Sequence, residues 1–182
     1  MFSSWFYKIF NVPLNIPSCG QHFISEAHWL RYKKFRESLG EVGTLSGGKP
    51  LPRWKDIRRD VEYVHNTVSR YFVYEPDGKL DNWEVPRPDL NGYIHSDCDG
   101  YAGYCKLKLL EQGLDESWLR LTLCWTETEG YHMVLSVCTR DGDYILDNRY
   151  PYVIWRWFKL DYTWHYREDG KGSFERLGED KI

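Results

Sequence analysis

Ser96-Asp97-Cys98-Asp99-Gly100-Tyr101-Ala102 sets a cysteine between two carboxylates at the point where a helical pattern begins. From Cys98, the residues Ala102, Cys105, Leu109 and Leu110 recur at helical spacing, and Gly113 follows, where helices commonly end in a left-handed residue. The spacing predicts a helix of about four turns with Cys98 in its first turn and Asp97 as N-cap. Unpaired N–H groups and the positive dipole end at that position favour thiolate over thiol and can donate to an oxyanion.

Downstream, Tyr131 to Val137 reads as a strand and Tyr144 to Asn148 as the next, with Arg140-Asp141-Gly142-Asp143 as the hairpin turn between them. Pairing Val137 with Tyr144 puts His132 opposite Arg149 and makes Asp147 the diagonal neighbour of His132 on one sheet face. Such neighbours stand roughly 7–8 Å apart at Cα, within reach of an Asp–imidazole hydrogen bond. A slip of one residue would send the two side chains to opposite faces. Cys98, His132 and Asp147 are therefore the candidate nucleophile, base and orienting carboxylate of an acyl-transfer site. His95, three residues before the cysteine, is a competing base and reads more simply as a loop residue. His22, His28, His65 and His165 carry no argued role.

These residues resemble a family. Asp97-Cys98-Asp99-Gly100-Tyr101-Ala102 with Lys106, then His132-Met133-Val134-Leu135, then Leu146-Asp147-Asn148, are similar to the bacterial transglutaminase-like cysteine proteinases. The likeness runs from about Trp54 to Asn148 and takes in Val64-His65-Asn66, Tyr74 and Trp83-Glu84-Val85-Pro86. The family pattern usually has Gly-Asp-Cys-Glu-Asp at the cysteine; here Ser96, Asp99 and Gly100 stand where that pattern has Gly, Glu and the second Asp. The resemblance implies an α+β, papain-like or transglutaminase-like fold, in which N-terminal helices and the nucleophile helix pack on an antiparallel sheet. It implies a cysteine peptidase or amidase acting on a protein or a peptidoglycan peptide, a phage lysis enzyme being one setting for the latter. Transamidation by the same triad, or a non-catalytic binding module on the same fold, are the alternatives. The chemistry needs no cofactor. Relatives bind calcium at carboxylates flanking the cysteine, which makes Asp97 and Asp99 candidate Ca²⁺ ligands. A cation there would offset two like charges that otherwise raise the thiol pKa.

Composition sets the limits. The 182 residues are read as one domain, residues 1–50 being an N-terminal extension packed on it. Nine Trp and fourteen Tyr suit either a core or a groove for an extended polymer. A net charge of −3 leaves no basic footprint for nucleic acid. Five cysteines without a CxxC point to a reducing compartment, with Cys19, Cys105, Cys124 and Cys138 as buried small hydrophobes. The aromatic opening Met1 to Phe10 lacks the basic start and cleavage site of a signal peptide, and no stretch reaches transmembrane length. It reads as a strap packed on the domain, or as a segment resting on a membrane or partner surface. The expected location is cytoplasmic, that of the host for a phage-encoded chain, with any release to the envelope by another route.

Ser25 is read as the N-cap of a helix through Leu39 closed by Gly40, with Trp29, Tyr32, Phe35 and Leu39 on one face. Trp54, Ile57, Val61, Val64, Val68 and Tyr71 mark the strongest amphipathic helix. The chain is then extended to Tyr74 and turns at Glu75-Pro76-Asp77-Gly78. Leu80 to His95 reads as an irregular loop along the cleft wall, its Trp83 more simply packed than donating to an oxyanion. Trp118 to Trp125 and Tyr152 to Leu160 read as strands, and Thr163 to Leu177 as a hairpin turning at Asp169 to Gly172. Helices first and an antiparallel sheet last make the class α+β.

Overall fold

The computed structural model describes residues 26–40, 48–77, 83–128 and 130–178. The expectations for Met1 to Phe10, Cys19 and the cap Ser25 lie outside the described residues. Helix α1 (Glu26–Ser38) is followed by α2 (Trp54–Tyr71), strands β1 (Phe72–Tyr74) and β2 (Ile94–Ser96), and helix α3 (Cys98–Glu111). A sheet then forms from β3 (Leu119–Trp125), β4 (Tyr131–Val137), β5 (Tyr144–Leu146), β6 (Trp155–Arg156), β7 (Thr163–Glu168) and β8 (Phe174–Arg176). Its order is β6-β5-β4-β3-β7-β8, antiparallel throughout. The architecture is α+β. Among the described residues no helix is long and apolar enough to cross a membrane.

The helices form where the apolar spacing demands. Ile57, Val61, Val64 and Val68 of α2 are buried, as are Tyr32, Phe35 and Leu39 on or just after α1. Helix α3 is enclosed on almost every side, from Asp99 to Lys106 and again at Leu109 and Leu110. It lies against α2 and across β4, whose Met133, Leu135 and Val137 share its apolar cluster. Gly113 takes φ +86° after the helix, as its place in the sequence predicts.

The structure corrects two expectations. The end of the stretch read as irregular forms β2, which pairs in parallel with β1 in the register Phe72↔Ile94, Val73↔His95, Tyr74↔Ser96. Three residues are too few for periodicity to reveal a strand. This ribbon ties the end of α2 to the segment that leads into Cys98. Tyr152 to Leu160, read as a strand, contributes only Trp155 and Arg156 to the sheet. Tyr152 adopts φ +67° in a turn, and Trp157 to Lys159 coil into a 3₁₀ turn. Trp83 is buried and stacks on His28 with ring centroids 5.2 Å apart, a packing role.

A charged cluster crosses the core. Lys106 of α3 donates to both Glu168 oxygens at 2.7 and 2.9 Å, and Glu168 also accepts from the Leu121 N–H at 2.6 Å. Glu116 lies 3.3 Å from the ammonium and pairs with Arg36 of α1. One buried ion network thus binds α1, α3, β3 and β7. Burial pulls the Lys106 pKa below its ordinary value, against the pull of Glu168. Removing one partner leaves an uncompensated buried charge. Lys106→Met is expected to lower unfolding free energy by roughly 3–5 kcal/mol in denaturant titration, with Lys106→Met/Glu168→Gln recovering part of it.

Gly100 and Ser96 are sterically coupled. A Cβ at position 100 would fall 2.7 Å from the Ser96 Cβ and closer still to its Oγ. With a serine at 96, a side chain at 100 has no room unless Ser96 moves. In an ordinary helix interior Ala is favoured over Gly by about 1 kcal/mol. Here Gly100→Ala is expected to destabilise by about 1–3 kcal/mol through overpacking. Adding Ser96→Gly should restore stability, a non-additivity that a double-mutant cycle measures directly.

Candidate active site

Cys98 is the first residue of α3 and is half-buried. Asp97 caps the helix, its Oδ1 accepting from the Asp99 N–H at 3.3 Å. The carboxylates of Asp97 and Asp99 lie with the Cys98 sulfur in a group whose ligand atoms are all within 4.8 Å of one another. The thiol therefore sits between the positive end of a helix dipole, which favours its anion, and two carboxylates, which oppose it.

The other three described cysteines have the opposite surroundings. Cys105, Cys124 and Cys138 are buried. Burial raises all three thiols well above their usual range, Cys138 to about 12. All three are poor thiolates at neutral pH.

Strands β4 and β5 pair with Val137 opposite Tyr144 and Leu135 opposite Leu146, the register read from the sequence. β5 ends at Leu146, so Arg149 lies beyond the ladder. His132 Nε2 donates to Asp147 Oδ1 at 2.9 Å, with both side chains buried. Asp147 Oδ1 also accepts from the Arg149 N–H at 2.9 Å, and Oδ2 accepts from the Tyr162 hydroxyl at 2.7 Å. Burial by itself raises the Asp147 carboxyl pKa, but these donors, His132 first among them, hold it below its ordinary 3.8. With Nε2 committed to the carboxylate, Nδ1 is the ring atom left for a reacting group.

His65 joins the pieces, a role that no sequence signal had assigned. Its Nε2 lies 3.2 Å from the Tyr150 carbonyl, which can only accept, so this nitrogen carries the proton. Nδ1 then accepts from the Tyr101 hydroxyl at 2.8 Å, and that oxygen accepts from Ser69 at 2.8 Å. Burial lowers the His65 pKa and keeps the ring neutral. The chain Ser69–Tyr101–His65–Tyr150 connects α2, the first turn of α3 and the turn that follows Asp147. Its spatial signal in the sequence is slight, since its members are separated by up to 85 positions.

His95 is engaged by two carboxylates. It is an exposed residue of β2 whose Nδ1 bonds Glu75 at 2.8 Å and whose Nε2 lies 3.6 Å from Asp89. The Glu75 hydrogen bond is the main cause of its raised pKa. A cleft of about 370 Å³ is lined by Tyr74, Asn148, Arg149 and Tyr150. Tyr74 pairs with Ser96, two residues before Cys98, and Asn148 follows Asp147. The cleft thus opens between the segments that carry the cysteine and the aspartate.

As cation ligands, Asp97 and Asp99 are of the right chemistry for calcium, which takes roughly six to eight oxygens, and Cys98 is not. One Asp97 oxygen is engaged in capping, and Gly100 brings no side-chain oxygen. The pair fits calcium as a partial ligand set that water would complete.

Residues 49–176 match the family described as bacterial transglutaminase-like cysteine proteinases. Among solved structures, calcium-bound Legionella pneumophila LapG superposes with a TM-score of 0.52 at 19% identity, over 81% of this chain and 84% of that one. EGTA-treated LapG from the same organism gives 0.49 at 18% identity, over 81% and 82%. No curated protein matches the sequence. The family match spans well over half of the chain, and the α+β fold agrees with it: this chain belongs to the bacterial transglutaminase-like cysteine proteinases and is a cysteine peptidase.

Proposed function

We propose that Cys98, His132 and Asp147 are the catalytic triad of this peptidase and that its substrate is an extended protein chain seated in the Tyr74–Tyr150 cleft. The observation that carries the reading is the buried His132–Asp147 hydrogen bond at 2.9 Å, set on the strand across which the Cys98 helix packs.

The Cys98 thiolate attacks the scissile carbonyl carbon, and backbone N–H groups of the first turn of α3 receive the oxyanion. His132 Nδ1, holding the thiol proton, gives it to the leaving amine as the C–N bond breaks. Asp147 keeps the second proton on Nε2 and stabilises the imidazolium. A water molecule then gives its proton to Nδ1 and adds to the thioester, releasing the new carboxyl group and regenerating Cys98. Asp97 and Asp99 would hold Ca²⁺, whose charge offsets theirs beside the thiolate; one similar structure is a calcium-bound protein.

Iodoacetamide at neutral pH, followed by peptide mass spectrometry, is expected to label Cys98 far faster than Cys105, Cys124 or Cys138. Equal rates would remove the nucleophile. Against a panel of proteins and peptidoglycan peptides, Cys98→Ala and His132→Ala should abolish cleavage, and Asp147→Asn should lower kcat by roughly 10²–10⁴-fold. Product masses separate hydrolysis from acyl transfer, because transfer leaves the acyl group on an amine. Cleavage of the peptidoglycan peptides alone would overturn the protein-substrate reading.

Calcium titration by calorimetry should give weak, saturable binding that Asp99→Asn abolishes, and chelation should slow alkylation of Cys98. Absence of binding, with chelation leaving the rate unchanged, would exclude the cation site.

A further inference from the structure

Asp147 is held from both sides. Oδ1 faces His132 Nε2, while Oδ2 receives the Tyr162 hydroxyl at 2.7 Å. The Tyr162 oxygen in turn lies 2.6 Å from Arg149 Nη1. A guanidinium can only donate, so the Tyr162 oxygen accepts there and its single proton goes to the carboxylate. Arg149 thus bears on Asp147 in two ways, through the Tyr162 hydroxyl and directly through its own backbone N–H, which donates to Oδ1. Its guanidinium is fixed by Glu127, at 2.8 Å from Nη2 and 3.2 Å from Nη1, and by Thr128 at 3.2 Å. Its charged carbon lies 5.4 Å from the Tyr162 ring centroid. The Tyr162 ring stands edge-on to the His132 ring, with centroids 6.2 Å apart and planes at 82°.

We propose that Tyr162 and Arg149 are positioning residues for the reaction: they fix the rotation of the Asp147 carboxylate and, through it, the tautomer and ring plane of His132. A carboxylate bound through one oxygen pivots about its Cβ–Cγ bond. With Oδ2 pinned as well, the lone pair of Oδ1 stays aimed at Nε2. Glu127 balances the guanidinium charge and places it on the tyrosine. The assignment rests on the triad reading above.

The groups in electrostatic reach of Asp147 are His132 of β4, His65 of α2, Tyr101 of α3, Cys124 of β3, and Tyr162 with Arg149 beside it. Burial raises Tyr101, Cys124 and Tyr162 and lowers His65. Tyr101, Cys124 and Tyr162 therefore stay uncharged under acid and neutral conditions. A carboxylate with one donor fewer takes up its proton at higher pH, so loss of the Tyr162 hydroxyl moves the acid limb of activity upward.

The test is Tyr162→Phe, which keeps the ring and removes only the hydroxyl, with Arg149→Lys as a second variant that keeps the charge and the backbone N–H. In Tyr162→Phe, kcat is expected to fall roughly 10- to 100-fold at unchanged KM, and the acid limb of the pH profile to rise. In nitrogen-15 NMR of the full chain, the His132 Nε2–H is expected to exchange faster with water. Arg149→Lys should show the same changes, smaller. Wild-type kcat, acid limb and Nε2–H exchange in Tyr162→Phe would overturn the proposal. So would a loss of activity that merely follows loss of folded protein. If Cys98→Ala or His132→Ala remains active, the triad itself falls and this assignment falls with it. If both are inactive while Tyr162→Phe behaves as wild type, only this assignment fails.

Discussion

The antiparallel pairing of β4 with β5 is the constraint on which the candidate site depends. Side chains on paired strands alternate between faces, so this register brings His132 and Asp147 together on one face as diagonal neighbours, and a slip of one residue would part them. The register is held by burial. Leu135, Val137 and Leu146 face α3, while Val134 and Ile145 fill a second cluster on the far side of the sheet. His132 and Asp147 share the face of Val134 and Ile145, so a slip of one residue would turn one strand's apolar residues to the wrong cluster and carry its polar member to the α3 side. The tight turn at Thr139 to Gly142, with Thr139 Oγ1 donating to the Gly142 carbonyl at 2.7 Å, fixes the loop that starts the pairing.

The position of α3 is set at its middle and at its start. Lys106 anchors its middle in the buried ion network with Glu168 and Glu116. Tyr101, near its start, is bound to His65, which also holds the Tyr150 carbonyl. Buried polar groups of this kind have few arrangements that satisfy every donor and acceptor. They give a helix enclosed by apolar neighbours a specific location along its own axis, which hydrophobic contact alone defines poorly. The β1–β2 ribbon adds a third attachment just before Cys98, and Ser96 in that ribbon fills the space that a side chain at 100 would need.

Electrostatics then separates one cysteine from the other three described. Cys105, Cys124 and Cys138 are buried, and burial raises their pKa values, whereas Cys98 stands half-exposed on a helix amino terminus. The same contrast applies to the histidines. His65 is neutral and saturated by two partners, and His95 is tied to exposed carboxylates. Among the described histidines, His132 alone combines a buried aspartate on Nε2 with a place on the strand that packs against α3.

The chain itself determined the α+β class, the helices at Trp54 and Cys98, the Asp97 cap, the β4–β5 register and the candidate residues Cys98, His132 and Asp147. The helices, the cap and the hairpin register are local patterns of spacing on which burial acts directly; the α+β class comes from the order of such elements, and the three candidate residues from the motifs each element carries. The tertiary structure alone decided the parallel β1–β2 ribbon, the collapse of Tyr152 to Leu160 into a turn and a two-residue strand, and the part played by His65. It also decided that Tyr162 and Arg149 close on the Asp147 carboxylate. None of these leaves a periodic trace. A three-residue strand is too short to show one, and a tyrosine hydroxyl finds its acceptor through the folding of a whole sheet, because it must satisfy a buried polar atom wherever the chain leaves one.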